Sequence, residues 1–328
     1  MLKKVQETVA REELLPVGSK VIVAVSGGAD SMALLDLLDR LRQRKKLTLA
    51  VAHVIYGLRP EAGEEAKLVR AAAERREVEF FRRDLRSRAH SSDENWLRQA
   101  RYEFFESLRK EIGADLIAVG HTRDDLTESF LLHLLRGAGL RGLSAMAYRR
   151  DRIVRPLLDL TRRETREYCR RHKIVFATDA SNRNERYLRN RVRHTLLPLL
   201  RRRFNPRIDS VLAETARLLA DDYRFIRAEA TKKLSFLRRE GEGVAFCRAD
   251  FLALPPALRR EALRLIAAEV GDSAVPPLSG AAVEQMLRAV ASRKNKTQTV
   301  KTADLILRKR GDIVSVTVCR DDRGENRD

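Results

Sequence analysis

The sequence predicts an α/β fold: an open parallel sheet with helices on both faces, followed by a smaller, mainly helical domain. Three observations carry that expectation. Short runs rich in valine and isoleucine alternate with helix-spaced segments through the first half. One run, "VIVAV" at 21–25, passes through a glycine-rich turn straight into a helical pattern. After Thr161 the strand signals fade and helical ones follow. Strands separated by helices of this length read as βαβ units and hence as a parallel sheet.

The elements follow in order. Val21–Val25 is apolar throughout, as a strand buried on both faces should be. Asp30–Arg42 has helical spacing through Met32, Leu34, Leu35 and Leu38. "LTLAVAHV" (47–54) is a second strand, 61–77 an alanine-rich helix and 79–81 a short third strand. In Ser92–Glu111, Leu97, Phe104, Phe105 and Leu108 share one helical face. "LIAVG" (116–120) is another strand, and Thr127–Leu135 another helix. Thr161 and Glu164 have the spacing of a capping box opening a helix. A helical stretch runs from Arg189 to about Arg238, with further helices over 258–270 and 281–291 and a hairpin turning near Gly311. With no repeat and no low-complexity linker, the change of character places a catalytic domain at 1–205 and a mainly helical one at 206–328. The tail "CRDDRGENRD" is expected to fray.

Charge narrows the function. Lys and Arg number 66 against 46 Asp and Glu, a formal charge of +20. The excess is clustered, most densely at Arg189, Arg191, Arg193 and Arg201 to Arg203, which points to a polyanionic partner. Aromatics are only 5%, which argues against broad stacking on single-stranded bases. Three distant cysteines form neither a disulfide framework nor a CxxC site and suit a reducing cytoplasm. The charged N-terminus lacks the apolar run of a signal peptide, and no membrane span is expected.

Ser26-Gly27-Gly28-Ala29-Asp30-Ser31 joins the first strand to its helix. Such a turn aims backbone N–H groups and a helix N-terminus at one spot, an anion site most often used for phosphate. The lysine of a P-loop and the G-x-G-x-x-G of a dinucleotide fold are both missing. Asp30 would repel phosphate unless Mg²⁺ lay between them, which suggests a nucleoside triphosphate with its metal. The plain alternative is a tight turn with Asp30 as a cap. The loop resembles the SGGxDS pyrophosphate loop of the N-type ATP pyrophosphatases (PP-loop ATPases, Rossmann-like), which activate a carbonyl oxygen with AMP.

His53 and His121 end two further strands, where ligands of open parallel sheets bind; each is equally readable as a structural histidine. Asp125 and Glu128 share a helix face and are readable as dipole complements, as Mg²⁺ ligands or as partners of an ammonium group. "HVIYGLR", "RQARYEFF", "HTRDDLTES", "RGAGLRGLSAM", "RPLLDL", "DASN" and "RNRVRHTLLPLL" occur in order between about residues 20 and 200. Together they resemble the motifs of the tRNA(Ile)-lysidine synthase family. Three positions depart from its pattern: Tyr56 where histidine is usual, Leu126 where glutamine is common, and Ser129 for threonine.

The resemblance implies an ATP-dependent ligase. It would adenylate C2 of the wobble cytidine of tRNA(Ile) with a CAU anticodon, and the ε-amine of free L-lysine would displace AMP. It further implies that Ser26, Gly27, Gly28, Ala29, Ser31 and His53 hold ATP and that Asp30 binds Mg²⁺. Arg101 and His121 would act at the α-phosphate or the activated base. Asp125 and Glu128 would face the lysine ammonium, one of them also as proton acceptor. Arg136, Arg141, Arg189, Asn190, Arg191 and Arg193 would meet the tRNA; a solvated basic face is the plain account of these arginines. Oligomeric state is left open, a homodimer included. Two rivals stand beside this reading: a tRNA 2-thiolation enzyme, which would need cysteines that this chain lacks in its motifs, and a non-catalytic RNA-binding protein.

Overall fold

A computed structural model of the chain describes residues 1–55, 62–85, 94–144, 146–177, 188–271, 278–294, 296–302 and 304–319. Tyr56 and the "DASN" motif lie outside the described residues. Two compact units emerge, Met1–Arg136 with Ser144–Arg217, and Gly137–Leu143 with Leu218–Asp328. The division thus falls inside one helix, between Arg217 and Leu218, whereas the change in sequence character lies near residue 205.

The first unit runs α1 (Leu2–Arg11), β1 (Lys20–Ala24), α2 (Ala29–Lys45), β2 (Thr48–Ile55), α3 (Ala62–Glu74), β3 (Glu79–Asp84), α4 (Glu94–Glu111), β4 (Leu116–Val119) and α5 (Arg123–Leu135). After α6 (Leu140–Leu143), a piece of the second unit, come β5 (Arg149–Arg150), β6 (Ile153–Val154), α7 (Arg162–Arg171), α8 (Leu188–Arg191) and α9 (Leu197–Arg203). The sheet order is β3-β2-β1-β4-β6-β5, parallel except for the β5–β6 pair. β1 lies between β2 and β4, with Val23 opposite Val51 on one side and Ala118 on the other. The chain's progression reverses direction there, and ligands of open sheets bind outside such a switch point.

Alternation along the strands serves both faces. Val21, Val23, Leu49 and Val51 pack with α1, α2 and α3 through Val9, Leu34 and Val69. Ile22, Ala50 and Ala52 pack on the other side with Phe105 and Leu108 of α4. Of the four residues expected on the apolar face of α4, Phe105 and Leu108 are fully buried and Leu97 and Phe104 half-buried. Thr161 caps α7 as its spacing predicts: its hydroxyl accepts from Glu164 N–H, and Glu164 accepts from Thr161 N–H.

The basic helix expected from Arg189 onward is broken. Between α8 and α9 the residues Val192–Leu196 form a π-helical turn, and Phe204-Asn205-Pro206-Arg207 separate α9 from α10 (Ile208–Lys232). In the second unit, α11 (Arg248–Ala253), α12 (Pro256–Gly271) and α13 (Gly280–Ala291) accompany a five-stranded antiparallel sheet. Its order is β7 (Arg238–Glu240), β8 (Gly243–Cys247), β11 (Ile313–Val318), β10 (Leu305–Arg310), β9 (Gln298–Lys301). The expected hairpin at Gly311 (φ +59°) is the β10–β11 pair of this larger sheet. No helix among the described residues is long and apolar enough to cross a membrane.

One glycine sets how closely the site's parts approach. A Cβ on Gly120, just after β4, would lie 3.2 Å from the carbonyl carbon and oxygen of Asp30 and from Ser31 Cα. Gly120→Ala is therefore expected to destabilise the first unit by about 1–3 kcal/mol through overpacking against backbone. A urea midpoint equal to that of the parent would disprove this close approach.

Candidate active site

A cavity of about 790 Å³ opens at the carboxyl ends of β1 and β4. Ser26, Gly28, Ala29, Asp30 and Ser31 form one wall, and Gly120, His121, Asp124 and Asp125 another. Arg101, Tyr102 and Phe105 come from α4, Arg162 and Arg166 from α7, and Arg193 and His194 from the π-helical turn.

The loop is held by its own hydroxyls. Ser31 Oγ accepts from Ser26 N–H at 3.1 Å and donates to Gly28 carbonyl at 2.9 Å. Gly27 sits at φ +92°, a conformation that favours glycine. Its carbonyl accepts Ala177 N–H at 2.9 Å, which ties the loop to the chain beyond α7. Gly28 occupies the N-cap of α2, and no side chain caps that end. Among the described residues no side chain takes up the first-turn N–H groups of α2, the state an anion at a helix N-terminus requires.

Asp30 stands in the first turn of α2. Its Oδ1 accepts from the Thr165 hydroxyl, and its Oδ2 lies 3.9 Å from Arg162 Nε. Burial pushes its carboxyl up to about 6; the Thr165 hydroxyl opposes the shift and the Asp125 charge adds to it. A carboxylate held at this disadvantage gains from a cation. No group of three or more His, Cys, Asp and Glu suited to a metal occurs among the described residues. The donor chemistry of Asp30 suits Mg²⁺, which is commonly held by one or two carboxylates with phosphates and water, and Asp30 is the residue that would hold it.

The two acids of α5 are already paired. Arg162 donates to Asp125 Oδ1 through Nη2 and to Glu128 Oε1 through Nη1 (2.6 Å). Arg189 reaches Glu128 Oε2 at 3.0 Å and Asp125 Oδ1 at 3.2 Å. Arg193 adds bonds to both Glu128 oxygens, at 2.7 and 3.0 Å. Asp125 Oδ2 accepts from Thr122 N–H and hydroxyl. Burial alone would raise both carboxyls; for Asp125 the charges of Arg162 and Arg189 and the Thr122 N–H bond reverse that, and for Glu128 the bonds and charges of Arg193 and Arg162 do, so both lie below the usual range. Strongly ionised acids are weak bases, so the geometry argues against the expectation that one of them takes a proton.

Other expected residues are distributed as follows. His121 lines the cavity, and Arg155 Nε donates to its Nδ1 at 3.2 Å. His53 does not line it. That ring is buried on the opposite face of β2, hydrogen-bonded through Nδ1 to the Val25 carbonyl at 2.8 Å and near Phe80, so it braces the strand end behind the loop. Arg101 lines the cavity beside Tyr102. Arg189 and Arg193 sit on the acids rather than on an open surface; Arg191 and Arg136 are exposed, and Asn190 is half-buried. Arg141 belongs to α6 and hence to the second unit.

Sequence reasoning overlooked Arg162 and Arg155. A signal existed for the first: the capping box puts Arg162 at the first position of α7, where the helix dipole disfavours a cation, so a partner was needed to keep it there. Arg155 follows the short strand β6 as part of "RPLLDL" and is 4% exposed, which spacing alone does not reveal.

The comparisons agree with this geometry. Residues 1–200 match a family model described as a PP-loop domain, and residues 246–314 one described as a TilS substrate binding domain. A tRNA(Ile)-lysidine synthase of Geobacter sulfurreducens is 39% identical over 287 residues, 84% of this chain and 60% of that protein. One from a Synechococcus strain is 35% identical, covering 79% of this chain and 80% of the relative. The chain thus spans about three fifths of the first relative's length and four fifths of the second's. Among solved structures, the U34-tRNA thiolase NcsA from Methanococcus maripaludis superposes with a TM-score of 0.56 over 66% of this chain and 77% of that one, at 18% identity, a likeness of fold alone.

Two predictions follow from the charges. Between about pH 4 and 6 the folded protein holds a proton on Asp30 that the unfolded chain has lost, so stability falls as pH rises through that window. Asp30→Asn should therefore raise stability by about 1–2 kcal/mol at pH 7.5 and by nothing near pH 4, by urea denaturation. Glu128→Gln leaves three guanidiniums to one carboxylate and should cost about 3 kcal/mol, readable as a lowered urea midpoint. A neutral result would mean that the cluster is solvated.

Proposed function

The chain belongs to the tRNA(Ile)-lysidine synthase family, and on that basis we propose that it ligates L-lysine to C2 of the wobble cytidine in a tRNA(Ile) with a CAU anticodon. ATP would be the activating substrate and AMP and pyrophosphate the products. The observation that carries the proposal is the single cavity in which an uncapped helix N-terminus, the carboxylate of Asp30 and a mixed array of acids and guanidiniums meet.

Chemistry can be assigned to residues. The loop from Ser26 to Ser31, with the N–H groups of α2, would bind the β- and γ-phosphates. Asp30 would hold Mg²⁺, which when bound supplies positive charge to the departing pyrophosphate. The cytosine C2 oxygen attacks the α-phosphorus and pyrophosphate leaves; lysine's ε-amine then attacks C2, and AMP departs with that oxygen. His121 and Arg101, both on the cavity wall, would stabilise charge at the α-phosphate and the activated base.

For lysine, the pairing of Asp125 and Glu128 with Arg162, Arg189 and Arg193 suggests a refinement. An array presenting carboxylates and guanidiniums together suits a zwitterionic amino acid, which carries an ammonium and a carboxylate. Arg136 and Arg191, both exposed, and Arg141 of the second unit would engage tRNA phosphates. A cytoplasmic setting suits the three free cysteines. The thiolation alternative draws no support from Cys169: its thiol is buried, donates to the Ala29 carbonyl, and is pushed up to about 12, chiefly by that burial.

The test is incorporation of labelled L-lysine into an unmodified tRNA(Ile) transcript with a CAU anticodon, with ATP and Mg²⁺. Label should appear with equal release of AMP and vanish when the wobble cytidine is replaced. Asp30→Ala should reduce it about 100-fold or more, and Cys169→Ala should leave it intact. Labelling that ignores the wobble base, or sulfur transfer in its place, would overturn the assignment.

A further inference from the structure

His121 is held in an unusual way. Histidines oriented for catalysis generally donate Nδ1–H to a carboxylate or a backbone carbonyl. Here the partner is a guanidinium, Arg155 Nε at 3.2 Å. Arginine has donors and no acceptor, so Nδ1 of the ring must accept. A neutral imidazole has one hydrogen, which is left to Nε2. No hydrogen bond to Nε2 occurs among the described residues, and His121 lines the cavity whereas Arg155 does not.

Arg155 is itself anchored. It is 4% exposed, its Nη1 donates to the Ala147 carbonyl at 2.7 Å, and its backbone N–H donates to the Tyr148 carbonyl at 2.8 Å. It therefore stays in place when the cavity fills. We propose that Arg155 is the positioning residue of His121: by donating to Nδ1 it fixes the tautomer with hydrogen on Nε2, and His121 serves the reaction as a neutral hydrogen-bond donor and never as a base.

The charges around the ring are consistent. Asp125 on α5 favours the imidazolium, while Arg155 beyond β6, Arg98 on α4 and Arg189 on α8 oppose it. Burial is the largest influence and acts with the arginines, holding the ring down to about 3, so it is neutral at every pH at which the protein works. A neutral donor in a cavity for a polyphosphate gains strength as negative charge develops on the phosphoryl oxygens, without importing a proton that the departing group could take. This role rests on the nucleotide reading of the cavity; the state of the ring does not.

The experiment is ¹⁵N NMR of the histidine ring nitrogens in the full chain without substrate, with His121 assigned by its loss in His121→Gln. In the parent the hydrogen should remain on Nε2 across about pH 5 to 8. Arg155→Met removes the donor and should free the ring to exchange tautomers, so that hydrogen appears on Nδ1 as well as on Nε2. Arg155→Lys, which keeps a donor, should restore the Nε2–H form in part. In the lysine-incorporation assay, Arg155→Met should lower kcat about 10-fold or more, with KM for tRNA little changed. A parent ring protonated at Nδ1, or one unaltered by Arg155→Met, overturns the proposal, as does a folded Arg155→Met variant with parental kcat. An inactive parent whose ring behaves as stated would refute the functional reading and leave the tautomer assignment standing.

Discussion

The site depends on one guanidinium that serves three carboxylates. Arg162 bonds Asp125 and Glu128 and stands within 3.9 Å of Asp30. Without it, three buried or half-buried acids would stand close together with less positive charge among them, and some would have to take up protons to remain there. With it, α5 keeps both acids ionised. Its own burial would weaken the charge, but Asp125 and Glu128 reverse that effect and strengthen its hold on the proton. Arg189 and Arg193 complete the neutralisation from the α8 side.

Arg162 is placed by the helix that carries it. Along α7, Thr165 meets Asp30, Cys169 meets the Ala29 carbonyl, and Tyr168 donates to Asp36 at 2.6 Å. These contacts bind one face of α7 to α2, with the capping box fixing where α7 begins. Asp124 adds to the lock by accepting the Arg162 N–H at 2.9 Å. The Ser26–Ser31 loop, Asp30 and the acid–arginine array are thus tied together by two helices in direct side-chain contact, so the cavity is preorganised.

The sheet and the loop were legible because their signals are local. A strand buried on both faces reads as an unbroken apolar run, and Gly27 and Gly28 mark the turn after it. Asp30 and the cavity-facing His121 sit where the strand ends place them. His53 was legible as a residue at a strand end but not as one facing away from the cavity, because a one-residue step in a strand reverses the face and the strand's exact end decides it. Arg189 and Arg193 read as surface charge because nothing in their neighbourhood in sequence shows that α5 lies against them. Ion pairs between residues more than 60 apart, such as Arg193 with Glu128, are set by tertiary packing alone. The second unit's sheet was legible only as one hairpin, since β7 and β8 are short and separated from it by three helices, and β9 is only four residues long.

The π-helical turn at Val192–Leu196 carries a consequence of a different kind. Each π turn holds one residue more than the α turn it replaces, as though a single residue had been slipped into a regular helix. An α-helix advances about 100° per residue, so that one residue rotates everything after it by roughly that angle. Leu197 and Leu200 on α9 meet Leu131 and Val192 in one apolar cluster, while Arg189 and Arg193 from the preceding turns point at the acids of α5. A regular helix over the same stretch would have to give up one of these two alignments. The extra residue lets a single continuous segment present its polar side to the active site and, a turn later, its apolar side to the core.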